Sequence, residues 1–379
     1  MRGHIIKRGK MYSIVLELEP AADKKRRQKW IGGFKTKKAA ELELAKKILE
    51  IENGSFINEQ TVTFGEYLNH WLDIHKTKIA ERTHTRYKYF VDLYLTPALG
   101  NIPLIKLKPM QIQKLYADTL ESKVRVKKSS KKVSPTTVHH MHGVLHKAMS
   151  DAVKWKMLNN NPADSVTPPK RIKKDCHVPS DIDLQRIISA TQGIYLEMPV
   201  FVAVSTGARM GEILGLTWQN VDLKKGTIYI NQQLMRRRDG TLVITGTKTG
   251  YSRRTVEIGA STIKRLKEHK RQQAEWKLKA GEVWKGEDYV CTLEDGSPIN
   301  PNNIGTMFCR LTKRLKVNSS FHDLRHYHAT ALLKAGINPK IVSERLGHST
   351  VSITLDIYSH VLPSMQKEAV AAIEAFMRF

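Results

Sequence analysis

The hydrophobic positions change period along the chain. Tyr12 to Glu17 and Gln28 to Gly32 read as strands, with the basic turn Asp23-Lys24-Lys25-Arg26-Arg27 between them. Thr36 can cap a following helix whose apolar face is Leu42, Leu44, Ile48, Leu49 and Ile51. This first segment, to about residue 57, predicts β-β-β-α. From Thr63 the period becomes helical. Phe64, Tyr67, Leu68, Trp71, Leu72 and Ile74 form a stripe, and Thr63 with Glu66 three residues on is a capping box. A second helix is expected over Thr83 to Leu95, ended by Pro97 and Gly100, and a third over Lys108 to Leu120. A basic loop, Lys123 to Lys132, precedes a fourth helix opened by Ser134-Pro135 and carrying Val138, Met141, Leu145, Met149, Val153 and Trp155.

Beyond residue 175 the pattern is mixed. An apolar run, Val200 to Val204, leads into Ser205-Thr206-Gly207-Ala208-Arg209-Met210-Gly211-Glu212. A three-strand meander is expected from Gly226 to Ile230, Thr241 to Ile244 and Arg254 to Ile258, with turns at Asp239-Gly240 and Thr247 to Gly250. Lys248 then stands at a hairpin tip. Polar seams at Asn53 to Gln60 and at Thr167 to Lys174, a Pro pair followed by a basic run, divide the chain into 1–57, 61–166 and 175–379. The fold class is multidomain α+β. A small N-terminal three-stranded sheet plus helix comes first, then a helical domain, then a mixed, mainly α domain with a small antiparallel sheet.

Charge narrows the class. The 379 residues hold 63 Lys+Arg against 36 Asp+Glu, a net +27, spread as +6, +13 and +8 over residues 1–60, 61–174 and 175–379. Every module is basic, so a polyanion is the expected partner, and nucleic acid is its default form. Lys7, Arg8, Arg26, Arg27 and Lys29 of the first segment are candidate DNA contacts, as are Lys127, Lys128, Lys131 and Lys132 of the basic loop. No apolar run reaches the length of a membrane span, no secretory signal is read, and the three scattered cysteines suit a reducing cytosol. There is no phosphate loop and no zinc-type motif. His142 and His146, at i and i+4 beside His139 and His140, pose a metal question, but a DNA-facing or solvated helix face answers it better, since no acidic or thiol partner is close in sequence.

Phe321-His322-Asp323-Leu324-Arg325 places His322 and Arg325 on one helical face, and Leu346-Gly347-His348 is followed ten residues later by Tyr358. Singly, each of these residues has an ordinary structural reading: Glu212 a surface acid, Lys248 a solvated turn, Tyr358 a core residue, His326 and His328 helix packing. As the ordered set Arg209, Lys248, His322, Arg325, His348 and Tyr358 they closely resemble the tyrosine recombinase (phage integrase) family. Within it, the chain is most like integrases of Gram-positive temperate phages and conjugative transposons. The resemblance implies an arm-type DNA-binding domain at 1–57, a core-binding domain at 61–166 and a catalytic domain at 175–379.

It implies a site-specific recombinase that integrates, and can excise, a mobile element. Tyr358 would be the nucleophile that forms a 3′-phosphotyrosyl link. Arg209 and Arg325 would hold the phosphate oxygens, Lys248 would protonate the leaving oxygen, and His322 and His348 would bond the phosphate. Glu212 would brace Arg209. No cofactor or metal is expected. The implied partners are double-stranded core and arm sites and a homotetramer that donates its C-terminal helix in trans. There is room for an excisionase and a host DNA-bending protein, and no membrane, in a bacterial host's cytoplasm. Two other classes share parts of the pattern. A DNA-binding protein with a decayed catalytic domain would lack covalent capture of DNA, and a type IB topoisomerase would relax supercoils without site preference.

Overall fold

A computed structural model describes residues 3–18, 27–52, 62–121, 133–171, 178–237, 239–246, 252–286 and 288–358, with scattered positions from 370 to 377. Two compact units emerge, Met1–Lys173 and Lys174–Phe379.

The first unit opens on an antiparallel sheet in the order β1 (Gly3–Arg8), β2 (Met11–Leu18), β3 (Arg27–Phe34), followed by helix α1 (Lys37–Glu52). Strand alternation sorts its residues. Gly3 and Leu16 are paired, and a Cβ on Gly3 would lie 2.9 Å from Leu44 of α1, so Gly3, Ile5, Ile14, Leu16 and Ile31 face the helix. Thr36 accepts from the Ala39 N–H at 3.2 Å, the expected cap. Leu42 does not join the apolar face: it is 71% exposed, because the inward stripe follows Ala40, which is buried, and Leu44 and Ile48, which are half-buried, at i, i+4, i+8. The side chains of Leu49 and Ile51 lie outside the described residues.

Helices α2 (Phe64–His75), α3 (Glu81–Phe90), α4 (Thr96–Leu99), α5 (Pro109–Leu120) and α6 (Pro135–Lys154) follow. The capping box forms: Glu66 N–H donates to Thr63 Oγ1, and Thr63 N–H donates to Glu66 Oε2. Phe64, Tyr67, Leu68, Trp71, Leu95, Ile112, Tyr116 and Met141 pack into one core. Pro97 does not end the second helix as expected. A π-helical turn, Val91–Leu95, joins α3 to α4, and Pro97 sits in the first turn of α4. The wider turn absorbs both the missing N–H and the ring's clash with the carbonyl four residues back. Two histidines of α6 have hydrogen-bond partners from other parts of this unit. His142 Nδ1 is hydrogen-bonded to the Tyr116 hydroxyl (2.9 Å), and His146 Nε2 lies 2.8 Å from Asp164, an acid the fold brings back from 18 residues on. Among the described residues no group of three or more His, Cys, Asp or Glu converges.

The second unit runs α7 (Asp181–Thr191), α8 (Glu197–Thr206), α9 (Met210–Leu214), β4 (Val221–Asp222), β5 (Thr227–Ile230), β6 (Gln232–Arg236), β7 (Leu242–Gly246), β8 (Arg254–Glu257), α10 (Ala260–Ala280), α11 (Pro301–Arg314), α12 (Asp323–Lys334), α13 (Pro339–Leu346) and α14 (Val351–Tyr358). The apolar run Val200 to Val204 lies in α8. The expected meander is two structures: a sheet β4-β5-β8 and a separate hairpin β6-β7. Strand β6 escapes sequence reading because it follows β5 after one residue, Asn231, with no turn signal, and only Leu234 of it is buried. Leu214, Ile228, Val256, Leu266, Phe308 and Leu324 share the main core, and Ala329, Leu333, Val342 and Leu346 form a smaller one. No helix among the described residues is long and apolar enough to cross a membrane.

Candidate active site

Two helix ends build the site. Helix α8 stops at Gly207 (φ +67°) and α13 at Gly347 (φ +68°), both left-handed. The last carbonyls of a helix lack intrahelical partners and carry the negative end of its dipole. Here guanidinium groups take them. Three successive carbonyls of the α13 terminus are each bonded by a different arginine: Arg345 O by Arg254 Nε (2.6 Å), Leu346 O by Arg325 Nη2 (2.8 Å) and Gly347 O by Arg209 Nη2 (3.0 Å). Arg325 also donates through Nη1 to Gly207 O at the end of α8 (2.7 Å). The next residue after this clamp is His348.

Arg209 precedes α9. Its main-chain N–H donates to Glu212 Oε2 (2.9 Å) and its Nη1 to Glu212 Oε1 (2.7 Å). Arg209 and Glu212 therefore pair, and Glu212 is not the surface acid that it is when read singly. Glu212 is 4% exposed and its Oε2 also accepts from Arg254 Nη2 (3.0 Å). Burial alone would raise the Glu212 carboxyl. Arg254, followed by the Arg209 N–H and guanidinium, outweighs it and holds the group below its usual range. The two arginines expected as equal phosphate forks differ: the Arg209 side chain is 37% exposed, whereas Arg325 is buried.

The histidines surround these cations. His322, exposed, precedes α12, and its ring meets that of His326 edge-on at 4.7 Å. One edge of the ring is open to solvent, but the protein packed around the rest of it, and then Arg325, depress its pKa. His348 Nδ1 is hydrogen-bonded to Thr354 Oγ1 (2.8 Å) on α14, and burial, followed by Arg325 and Arg209, lowers its pKa to about 4. Tyr358 stands one turn beyond Thr354, as the last residue of α14. Beneath the site, His328 sits between Val204 O (2.7 Å from Nδ1) and Arg345 Nε (3.0 Å from Nε2). A carbonyl only accepts and a guanidinium only donates, so His328 is the neutral Nδ1–H tautomer. Arg345 completes the brace through Glu257 O and Ser205 O.

The structure thus brings together Arg209, Glu212, His322, Arg325 and His348, with the backbone of Tyr358 at the end of α14. Lys248 lies outside the described residues, as do Arg26, Lys127, Lys128, Lys131 and Lys132. Of the first sheet, Lys7 and Arg8 are exposed. Arg8 is on the face away from α1, 4.6 Å over the Trp30 ring, and Lys7 lies 5.8 Å over Tyr12. Arg27 and Lys29 are placed on β3 by backbone alone, opposite Leu18 and Leu16. Sequence reading missed Arg254, whose signal was available: on β8 it alternates with Val256 on the inward face. Arg345 and the depth of His328 carried no local signal.

Three family models match the chain: "phage integrase family" at residues 181–365, "phage integrase, N-terminal SAM-like domain" at 63–120 and "arm DNA-binding domain" at 4–51. A protein named tyrosine recombinase XerC-like, from Caldanaerobacter subterraneus subsp. tengcongensis, is 32% identical over 359 residues, covering 89% of this chain and 90% of the relative. The ICEBs1 integrase of Bacillus subtilis is 26% identical, covering 88% of each. Among solved structures, the Tn1549 transposon integrase in complex with transposon right end DNA has the same fold, with a TM-score of 0.66 at 20% identity over 78% of this chain and 94% of that one. Likeness of this extent to a recombinase, running nearly end to end in both chains, leaves one conclusion: the chain belongs to the phage integrase family of tyrosine recombinases, enzymes that break and rejoin DNA.

Proposed function

We propose that this chain is a site-specific integrase in which Tyr358 is the nucleophile. The single observation that carries the reading is the three-arginine clamp on residues 345–347, which fixes Arg209 and Arg325 beside His348, ten residues before Tyr358. In the proposed reaction the Tyr358 hydroxyl attacks the scissile phosphorus. A 3′-phosphotyrosyl bond forms, the bond to the 5′-oxygen breaks, and Lys248 protonates that oxygen. Arg209 and Arg325 offset the charge that builds on the non-bridging oxygens. His322 and His348, with pKa values depressed, are neutral at pH 7 and can bond the phosphate, with His322 taking the phenol proton. Glu212 orients Arg209. The phosphotyrosyl bond conserves the energy of the phosphodiester, so rejoining by a 5′-hydroxyl needs no nucleotide. The arginines supply the charge stabilisation that a metal ion supplies elsewhere.

In this reading residues 1–57, 61–166 and 175–379 act as arm-binding, core-binding and catalytic modules. Arg8, with Lys7, Arg26, Arg27 and Lys29, contacts arm DNA, and Lys127, Lys128, Lys131 and Lys132 contact the core site. A λ integrase of the same fold has been solved as a tetramer bound to a Holliday junction (TM-score 0.55, 16% identity), and a homotetramer on paired sites, exchanging C-terminal tails, is the assembly proposed for this chain. This reading leaves room for an excisionase and a host DNA-bending protein, and it places the work in a bacterial cytosol.

The test is Tyr358→Phe with a nicked suicide substrate. Wild type should accumulate a covalent protein–DNA adduct on a denaturing gel. The variant should keep its DNA shift and form none, and an adduct in the variant would overturn the assignment.

A further inference from the structure

Arg254 has no place in the reaction just proposed, yet all three nitrogens of its guanidinium are engaged. Its side chain is 6% exposed and donates to Glu212 Oε2 (3.0 Å), Arg345 O (2.6 Å) and Ser252 O (3.1 Å). Glu212 lies between it and Arg209, so the contacts close a ring: Arg209, Glu212, Arg254, the chain from Arg345 to Gly347, and back to Arg209.

That ring raises an electrostatic question. Arg209 paired alone with a buried Glu212 is a neutral unit and a poor ligand for a phosphate. Such a pair would also leave Glu212 Oε2 with only a main-chain N–H. A second buried guanidinium on the same carboxylate changes both terms. The three groups sum to one positive charge, and both carboxylate oxygens are bonded to cations, so Glu212 can hold Arg209 in place without cancelling it. In a buried setting such a residual charge is weakly screened.

We propose that Arg254 is a positioning residue for strand cleavage: by sharing Glu212 with Arg209 and fixing the Arg345 carbonyl, it holds the Arg209 fork where the scissile phosphate binds and leaves its charge available to that phosphate. The inference rests on the reading of Arg209 as a phosphate ligand and Tyr358 as the nucleophile. It assigns Arg254 no contact with DNA.

The experiment uses the full chain with Arg254→Lys, which keeps the charge and loses the fork, and measures single-turnover adduct formation on two suicide substrates. One has the ordinary scissile phosphate. The other has a methylphosphonate there, which carries no charge for Arg209 to offset. On the ordinary substrate Arg254→Lys should cleave about 10- to 100-fold more slowly than wild type, with DNA affinity within about twofold. On the methylphosphonate that ratio should shrink at least about tenfold, since the defect lies in handling phosphate charge. An equal ratio on both substrates, or ordinary cleavage within about twofold of wild type, overturns the proposal. If Arg254→Lys fails to fold, Glu212→Gln, close to its parent in shape, decides by the same comparison. Wild type that forms no Tyr358-dependent adduct sinks the parent reading instead, and is told apart because it fails before any variant is compared.

Discussion

Arg209 and Arg325 look alike in sequence, as do His322, His326, His328 and His348, and only burial separates them. Legible in the sequence were the residues whose chemistry has no cheap structural use in that order: Arg209, the His322–Arg325 spacing, and His348 ten residues ahead of Tyr358. The partners were not legible, because Arg254, Arg345 and Val204 reach the site from up to 140 residues away. The histidines carry a pH consequence. His326, His328 and His348 each fall from 6.5 to about 4, burial being the main cause. Their folded pKa values are depressed, so as pH falls below 6.5 the unfolded chain takes up protons that the folded one refuses. Stability is full above about 6.5 and is lost as pH falls towards about 4. The melting temperature of the full chain should fall by several degrees between pH 7 and pH 5. His328→Gln, which cannot titrate, should be less stable at pH 7 but show a shallower pH slope. Equal slopes in the two proteins would remove His328 from this account.

At the scale of elements, pattern succeeded where one face is buried and failed where an element leaves the core. The Thr63 capping box, the Ser134 cap and the α2 stripe were all readable. Strand β6, with a single fully buried residue, was not, and the passage of the chain through Pro97 depended on a π turn that no local signal announces. Two substitutions test the caps. Thr63→Ala should cost about 1 kcal/mol in urea denaturation, being the loss of one side-chain cap. Gly207→Ala should cost more, about 2 kcal/mol or above, since the left-handed φ is strained for alanine and its Cβ would meet His328 Cδ2 and Leu346 Cδ2 at 2.7 Å. Gly207 O also receives Arg325, so this variant should lose cleavage out of proportion to stability. Cleavage that only tracks the folded fraction would separate the cap from the clamp.

For the whole molecule, the surplus of +27 is spread over every module. That distribution predicts binding dominated by release of counterions from DNA. Affinity should fall by about 10³ to 10⁵ between 50 and 200 mM salt if six to ten phosphates are contacted. Arg8→Ala should lower the slope of log affinity against log salt by about 1 on an arm-type site and leave it unchanged on a core site. A slope unchanged on both would place Arg8 off the DNA.

The clamp at the end of α13 has a consequence for sequence drift. Arg209, Arg254 and Arg325 grip carbonyls, and every amino acid offers the same carbonyl. The gripping residues are therefore fixed by their side chains, while the gripped ones answer only to backbone shape and local packing. Saturation mutagenesis should return a lopsided profile. Arg325 should accept almost nothing, whereas Leu346 should accept other apolar residues and Gly347 should be limited by its left-handed φ. A machine wired through its main chain can change much of its spelling and keep its grammar.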